Sequence, residues 1–186
     1  MPLVPQVILQ PFNKWEVDFV GPINPLGKRT SARYIITATD YLMRWDEADP
    51  TKDCIAMMTF RFLFNNVVTR SRCPKILMRN QGAHFINQTI RAMTEEFQIQ
   101  HKRSTPYHPQ ENNAVKGLNK ILENSLTKVC NTNRDDWGLN IHLILWAYRM
   151  TCKRVIGQTP FKLVYEQEAV IHMEYIVPSL RIVVAT

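Results

Sequence analysis

Asp18, Asn80 and Lys116 hold the three positions in this chain whose type and spacing bear most directly on chemistry. Phosphoryl transfer with two divalent metals needs clustered carboxylates, which hold the ions ~3.5–4 Å apart on either side of an in-line displacement. A mid-strand acid, an acid just after a neighbouring strand and a helix acid can converge in this way. Asp18 falls in an alternating strand pattern, Asn80 follows a short apolar run, and Lys116 falls in a long helical stretch. Between the last two lie 35 residues. Only Asp18 is an acid, and the three positions together are neutral. Divalent affinity at such a site comes mainly from ligand charge, so no metal cofactor is expected. Asn80 can still offer a neutral carbonyl. Lys116 repels a cation. Asp18 is left as the single candidate metal ligand, and no intact catalytic set is expected. Glu111 sits ~140° round the helix from Lys116 and is badly placed to substitute. His84 with one carboxylate does not clamp two metals.

The elements that must position these residues are legible from periodicity. Lys14–Val20 alternates, with Trp15, Val17 and Phe19 on one side and Lys14, Glu16 and Asp18 on the other. That reads as a strand with one buried face, stopped by Gly21-Pro22. Tyr34–Thr39 reads as a second strand and Leu42–Ala48 as a third, an antiparallel meander. Asp49–Asp53 opens a helix running to about Arg70, with Ile55, Met58 and Phe62 on its apolar face. Pro74–Met78 is a short buried strand, Phe85–Phe97 a helix and Gln98–Arg103 a fifth strand. A long helix is expected from about Gln110 to Val129, and another from Asp135 to Arg149. Thr159–Tyr165 suits a short helix with proline in its first turn. Strands first, then strands alternating with helices, predict an α/β sandwich with a mixed sheet.

Bulk properties narrow the classes. A chain of 186 residues, 45 % hydrophobic, suits one domain with a sizeable core. The expected organisation is an extended lead-in at 1–11, a core domain at 12–170 and a tail at 171–186. No run approaches ~18 consecutive apolar residues, and Met1–Gln10 lacks the charged start of a secretory signal. No membrane partner is expected, and an intracellular location, nuclear or cytoplasmic, is. Cys54, Cys73, Cys130 and Cys152 are scattered and form no CxxC pair, which suits small core residues in a reducing compartment. Net charge is +7, favouring a polyanionic partner through phosphate contacts and counterion release.

Several segments, in order, carry a family resemblance. They are Trp15-Glu-Val-Asp-Phe-Val-Gly-Pro22, Tyr34-Ile-Ile-Thr-Ala-Thr-Asp-Tyr41, Gln81-Gly-Ala-His-Phe-Ile-Asn87 and Ser104-Thr-Pro-Tyr-His-Pro-Gln110. Asn119-Lys-Ile-Leu-Glu-Asn124, Asp136-Trp137, Leu145-Trp-Ala-Tyr-Arg149 and Gly157-Gln-Thr-Pro-Phe161 continue the series. Across roughly residues 12–165 the chain resembles the catalytic core of retroelement integrases, and more narrowly the integrase region of plant gypsy-type LTR retrotransposon polyproteins. The 35-residue interval is that of the second and third acids in their D,D(35)E sites. The resemblance implies an RNase H-like fold, a five-stranded mixed sheet flanked by helices. It implies an ancestral activity of cutting and joining DNA 3′ ends with Mg²⁺ or Mn²⁺. It also implies a homodimer built through the helices near 53–70 and 135–150.

The departures fall at the chemistry. The family typically has Ser-Asp where this chain has Arg79-Asn80, and Asn-Gly-x-x-Glu where it has Asn112-Asn-Ala-Val-Lys116. The reading is therefore an integrase core without catalysis, with Asp18, Asn80 and Lys116 as a vestigial triad. It would be retained as a module that binds nucleic acid or protein. Two alternatives stand beside it. One is a metal-dependent strand transferase or nuclease of low activity; the other is an interaction protein that forms mixed dimers with related integrases. Lys102, Arg103, Asn112, Lys116, Asn119 and Lys120 are the candidate residues for DNA binding, weak and independent of sequence. A direct Asp18–Lys116 contact, with Asn80 bridging, is expected in place of metal. His108, beside Pro109, is expected to shape a turn rather than to act as a base.

Overall fold

The computed structural model describes residues 10–79, 87–103, 117–126 and 134–170. Five strands form one mixed sheet in the order β3-β2-β1-β4-β5. They are β1 (Lys14–Val20), β2 (Tyr34–Asp40), β3 (Asp46–Thr51), β4 (Ile76–Arg79) and β5 (Gln100–Arg103). β1–β2 and β2–β3 are antiparallel; β1–β4 and β4–β5 are parallel. The helices are α1 (Ala56–Phe62, continuing as a π-helical stretch over Leu63–Val68), α2 (Gln88–Glu96), α3 (residues 117–126), α4 (Ile141–Arg149) and α5 (Pro160–Tyr165). A 3₁₀ segment, Arg134–Asn140, leads into α4.

The alternation of β1 builds two cores. Trp15 and Val17 pack with Ile36, Ala38, Phe62, Leu63, Leu77 and Met93 on the face covered by α1 and α2. Val20 packs with Ile35 and Ala48 beneath Leu118 and Leu122 of α3 and Ile141, Ile144 and Leu145 of α4. Trp15 is fully buried and anchors the first core, its Nε1–H donating to the Phe12 carbonyl at 3.1 Å. Trp137 does the same for the second, donating to the Pro25 carbonyl at 3.0 Å. A tryptophan buried this deeply needs such a partner for its N–H.

Among the described residues the elements follow the expected order; of the long helix expected over 110–129 only 117–126 is described, and the helix expected from Asp135 is 3₁₀ as far as Asn140. Two local readings are corrected. The third strand is Asp46–Thr51, not Leu42–Ala48. Asp40 caps a turn over residues 41–43 instead, its Oδ2 accepting from Leu42 N at 3.1 Å and Met43 N at 2.6 Å. A side chain that bonds its own following backbone amides diverts the chain from the ladder. Consequently α1 starts at Ala56, and its buried side is Ala56, Thr59 and Phe62. Ile55, placed on that face from the sequence, is 53 % exposed.

Two features of the α3/α4 face bring charge into the interior. Asp46 pairs with Thr39 in the β2–β3 register, and its carboxyl accepts from the Thr39 hydroxyl. It is wholly buried, and that burial lifts its pKa from 3.8 to about 7, against smaller opposing pulls from Thr39, Lys153, Arg149 and Arg44. At the same edge Arg149 leaves the end of α4 and wraps around β3. Its Nε and Nη2 donate to the Asp46 carbonyl, and Nη2 lies 2.9 Å from Glu47 Oε2. The guanidinium rests 4.1 Å over the Trp45 ring, and Trp45 Nε1–H donates to Glu47 Oε1 at 2.9 Å. An edge strand thus has a carbonyl closed by a side chain rather than left open to another chain.

A carboxyl whose pKa is raised by folding binds its proton more tightly in the native state. It costs nothing below pH 3.8, and its cost is fully present above pH 7. Urea unfolding of wild type and Asp46→Asn across pH 4–8 should therefore diverge. Wild type loses up to about 4 kcal/mol more than the variant as pH rises. Parallel curves would show that Asp46 is not a buried titrating group.

Candidate functional site

Asp18 lies one residue pair beyond Glu16 on the α3/α4 face of the central strand, opposite Thr37 of β2. It is partly buried, beside a helix that supplies a polar partner in an otherwise apolar contact surface. Leu118, Leu122 and Leu126 of α3 point into the core at i, i+4 and i+8. Asn119 sits one step round from that stripe, and this turns its amide toward the strand.

The geometry is specific. Asn119 Nδ2 donates to Asp18 Oδ2 at 2.9 Å. The Phe19 backbone N–H donates to Asp18 Oδ1 at 2.9 Å. Both carboxylate oxygens thus already accept a hydrogen bond. A carboxylate has no proton to give, so the NH₂ group of Asn119 must face it and the Oδ1 must face away. That oxygen lies 3.3 Å from the Thr37 hydroxyl. The same hydroxyl is 3.3 Å from the Asp18 backbone carbonyl. With one proton it serves one acceptor at a time. Asp18, Thr37 and Asn119 therefore form a cluster joining β1, β2 and α3.

β4 ends at Arg79, one residue before Asn80. Asn80, Asn112, Lys116 and His108 lie outside the described residues, as does the expected Asp18–Lys116 contact. Among the described residues no group of three or more His, Cys, Asp or Glu side chains converges to hold a metal ion. Lys102 is exposed and paired with Met78, itself paired with Glu16, which puts it on the same sheet face as Asp18. Arg103 closes β5 opposite Arg79, and its side chain lies outside the described atoms. Lys120 and Glu123 are exposed on α3, whereas Asn119 turns inward to Asp18.

The sequence reading takes Asn119, with Lys120, as a candidate for DNA binding and misses its role as a carboxylate partner. The signal was present in the spacing: Asn119 flanks Leu118 in the i, i+4 apolar series, so it borders the buried stripe. Arg149 was visible only as part of a motif. Its function as the clamp on β3 needs the edge position of that strand, which periodicity does not give. No helix among the described residues is long and apolar enough to cross a membrane.

Removing the amide leaves Asp18 Oδ2 without this donor in a half-buried position. Asn119→Ala should lower unfolding stability by about 1.5–3 kcal/mol, the range for hydrogen bonds to charged groups, measured by urea denaturation. Asn119→Asp should cost more at neutral pH, because two carboxylates would then face each other. Near-wild-type stability in both variants would show that the cluster contributes nothing to the fold.

No family model matches the chain. Individual relatives do. It is 30 % identical over 152 residues to the Gag-Pol polyprotein of woolly monkey sarcoma virus, covering 81 % of this chain and 9 % of that polyprotein. It is 30 % identical over 157 residues to the Gag-Pol polyprotein of feline leukemia virus, covering 84 % of this chain and 9 % of the relative. The Pol polyprotein of radiation murine leukemia virus (strain Kaplan) is 28 % identical over 157 residues, with 84 % of this chain and 26 % of the relative covered. The chain therefore spans from less than a tenth to about a quarter of these relatives' length. It is homologous to one segment of retroviral Pol polyproteins.

Proposed function

We propose that this chain is an integrase-type core, derived from a gypsy-like LTR retroelement, that binds nucleic acid but has lost strand transfer. Homology to Pol polyproteins supports the integrase-like part. So does a five-stranded mixed sheet with helices on both faces and an acid in the middle of its central strand.

One observation carries the loss of chemistry. The carboxylate of Asp18 accepts from Phe19 N and Asn119 Nδ2, so both of its oxygens are engaged by donors of the protein itself. The two positions that would complete a metal clamp are an amide, Asn80, and an ammonium, Lys116. This donor set does not fit a pair of divalent cations, because one carboxylate cannot balance four positive charges. The DNA reading rests on net charge +7 and on Lys102 and Lys120, both exposed. Arg103, Asn112 and Lys116 complete the proposed face. Phosphate contacts from such residues confer affinity without reading sequence.

Incubation with a labelled DNA end and Mn²⁺ should give no joined product, and millimolar Mg²⁺ should leave the melting temperature unchanged. Asn80→Asp with Lys116→Glu should restore a Mg²⁺-dependent rise. Joined product from the unaltered protein would end the reading of lost chemistry. Lys102→Ala with Lys120→Ala should weaken DNA binding alike for unrelated sequences. It should also reduce the slope of log affinity on log salt by about 0.9 per lost contact.

A second reading, assembly with another core, is favoured by exposed apolar side chains on two helical segments. Ile55 and Met57 are exposed at the start of α1. Leu139, Leu143 and Trp146, the last two 57 % and 44 % exposed, lie along the 3₁₀ segment and α4. These are the segments the integrase resemblance assigns to a two-fold contact, and the same faces would serve mixed dimers. Sedimentation should show a dimer for wild type and a monomer for Leu143→Arg. A wild type that stays monomeric at high concentration would remove the dimer reading.

A further inference from the structure

A cavity of about 650 Å³ opens between the turn after β2, the start of α3, the end of α4 and the hairpin that follows α4. Its lining includes Tyr41, Arg44, Tyr148, Lys153 and Arg154, with Gly117 on the α3 side. None of its described lining residues is acidic, and three are cations. None of the three forms an ion pair with a described carboxylate. Two rest on rings instead: the Lys153 ammonium 3.0 Å from the Tyr148 centroid, and the Arg44 guanidinium 5.2 Å from that of Tyr41. The acids that act on them, Asp40 and Asp46, are both wholly buried. Burial holds those carboxyls up to about 6 and about 7, so at pH 7 Asp40 is mostly ionised and Asp46 about half, two acids against three cations. Burial likewise lowers the Lys153 ammonium to about 8. A positive group held against its own desolvation is stabilised by an incoming anion.

The backbone holds these side chains in place. Arg44 is left-handed, with φ 55°, a conformation that disfavours any residue with a Cβ. Its N–H donates to the Asp40 carbonyl at 3.1 Å, which locks the turn. Lys153 N–H donates to the Gln158 carbonyl at 2.9 Å, and the Lys153 carbonyl accepts from Gly157 N at 2.8 Å. Gly157 itself has φ 69°, so the hairpin that carries Lys153 and Arg154 is closed by a residue suited to the turn.

We propose that this cavity is a phosphate-binding site, with Arg44, Lys153 and Arg154 as its donors, for a phosphate of single-stranded nucleic acid or of a free polyphosphate. It uses none of the residues assigned to the DNA face and does not rest on that reading.

Two probes test it: inorganic pyrophosphate by calorimetry and a labelled oligothymidylate by fluorescence anisotropy. Arg44→Gly removes one donor and relieves the left-handed backbone, so it should melt no lower than wild type. Arg154→Ala alters an exposed side chain on the hairpin. Each variant should weaken binding about tenfold, the loss for one charged hydrogen bond. Each should also lower the salt slope for the oligonucleotide by about 0.7. If both probes bind and weaken, the site accepts phosphate from either source. If only the oligonucleotide or only pyrophosphate responds, the site stands and its source is identified. If Arg44→Gly and Arg154→Ala match wild type with both probes, the proposal is overturned, whatever Lys102→Ala with Lys120→Ala does. If the oligonucleotide responds to Arg44→Gly but not to the Lys102/Lys120 pair, this site stands and the DNA-face reading falls.

Discussion

The central strand of this sheet presents polar side chains to a face that a helix must cover, and that requirement organises the molecule. Glu16 and Asp18 alternate with Trp15 and Val17, so the residues that fill one core leave carboxylates facing the other. A carboxylate at a helix–sheet contact is costly unless donors meet it. Here the donors are the next backbone amide and Asn119, with Thr37 on the neighbouring strand holding the amide oxygen. The three leucines of α3 supply the apolar contact, and Asn119 at their margin supplies the polar one. The contact that attaches α3 to the sheet thus also supplies a donor to Asp18.

The same constraint recurs at the edge of the sheet, with a different solution. Asp46 faces the α3/α4 side and is buried with a raised pKa, while Glu47 lies on the side of Trp45. Arg149 reaches from α4 round the strand to both, taking the carbonyl of one and the carboxylate of the other. Breaking a buried pair of this kind costs more than forming it gains, since the surviving charge keeps its desolvation penalty. The arrangement also spends Arg149 on the fold. Arg44, Lys153 and Arg154 remain around the neighbouring cavity without ion pairs to described carboxylates, and this makes the cavity electropositive.

Legibility varied with the range of the interaction concerned. β1 has the bounds its alternation predicts, ended by Gly21-Pro22, but not the single buried face: Glu16 and Val20 are buried as well as Trp15 and Val17, because helices cover both sides of the sheet. α5 was legible as a short helix with Pro160 in its first turn, a local effect; the Thr159 side chain, accepting from Lys162 N, caps it. β3 was misplaced because Asp40 captures the amides of Leu42 and Met43, a choice that periodicity does not record. Trp146 is exposed on α4 while Trp137, nine residues earlier, is buried. A helix with apolar residues on more than one face does not say which face the sheet will cover.

From sequence alone came the acid at position 18, its strand, its face and the absence of acids at positions 80 and 116, because residue identity and period-two alternation are properties of the chain itself. Tertiary structure decided that Asn119 is the partner of Asp18, that Arg149 closes the edge of β3 and that Arg44, Lys153 and Arg154 surround one cavity. Those pairings join residues roughly 100 positions apart, as with Asp18 and Asn119 or Asp46 and Arg149. They depend on strand order and helix rotation, which follow from how the whole core packs.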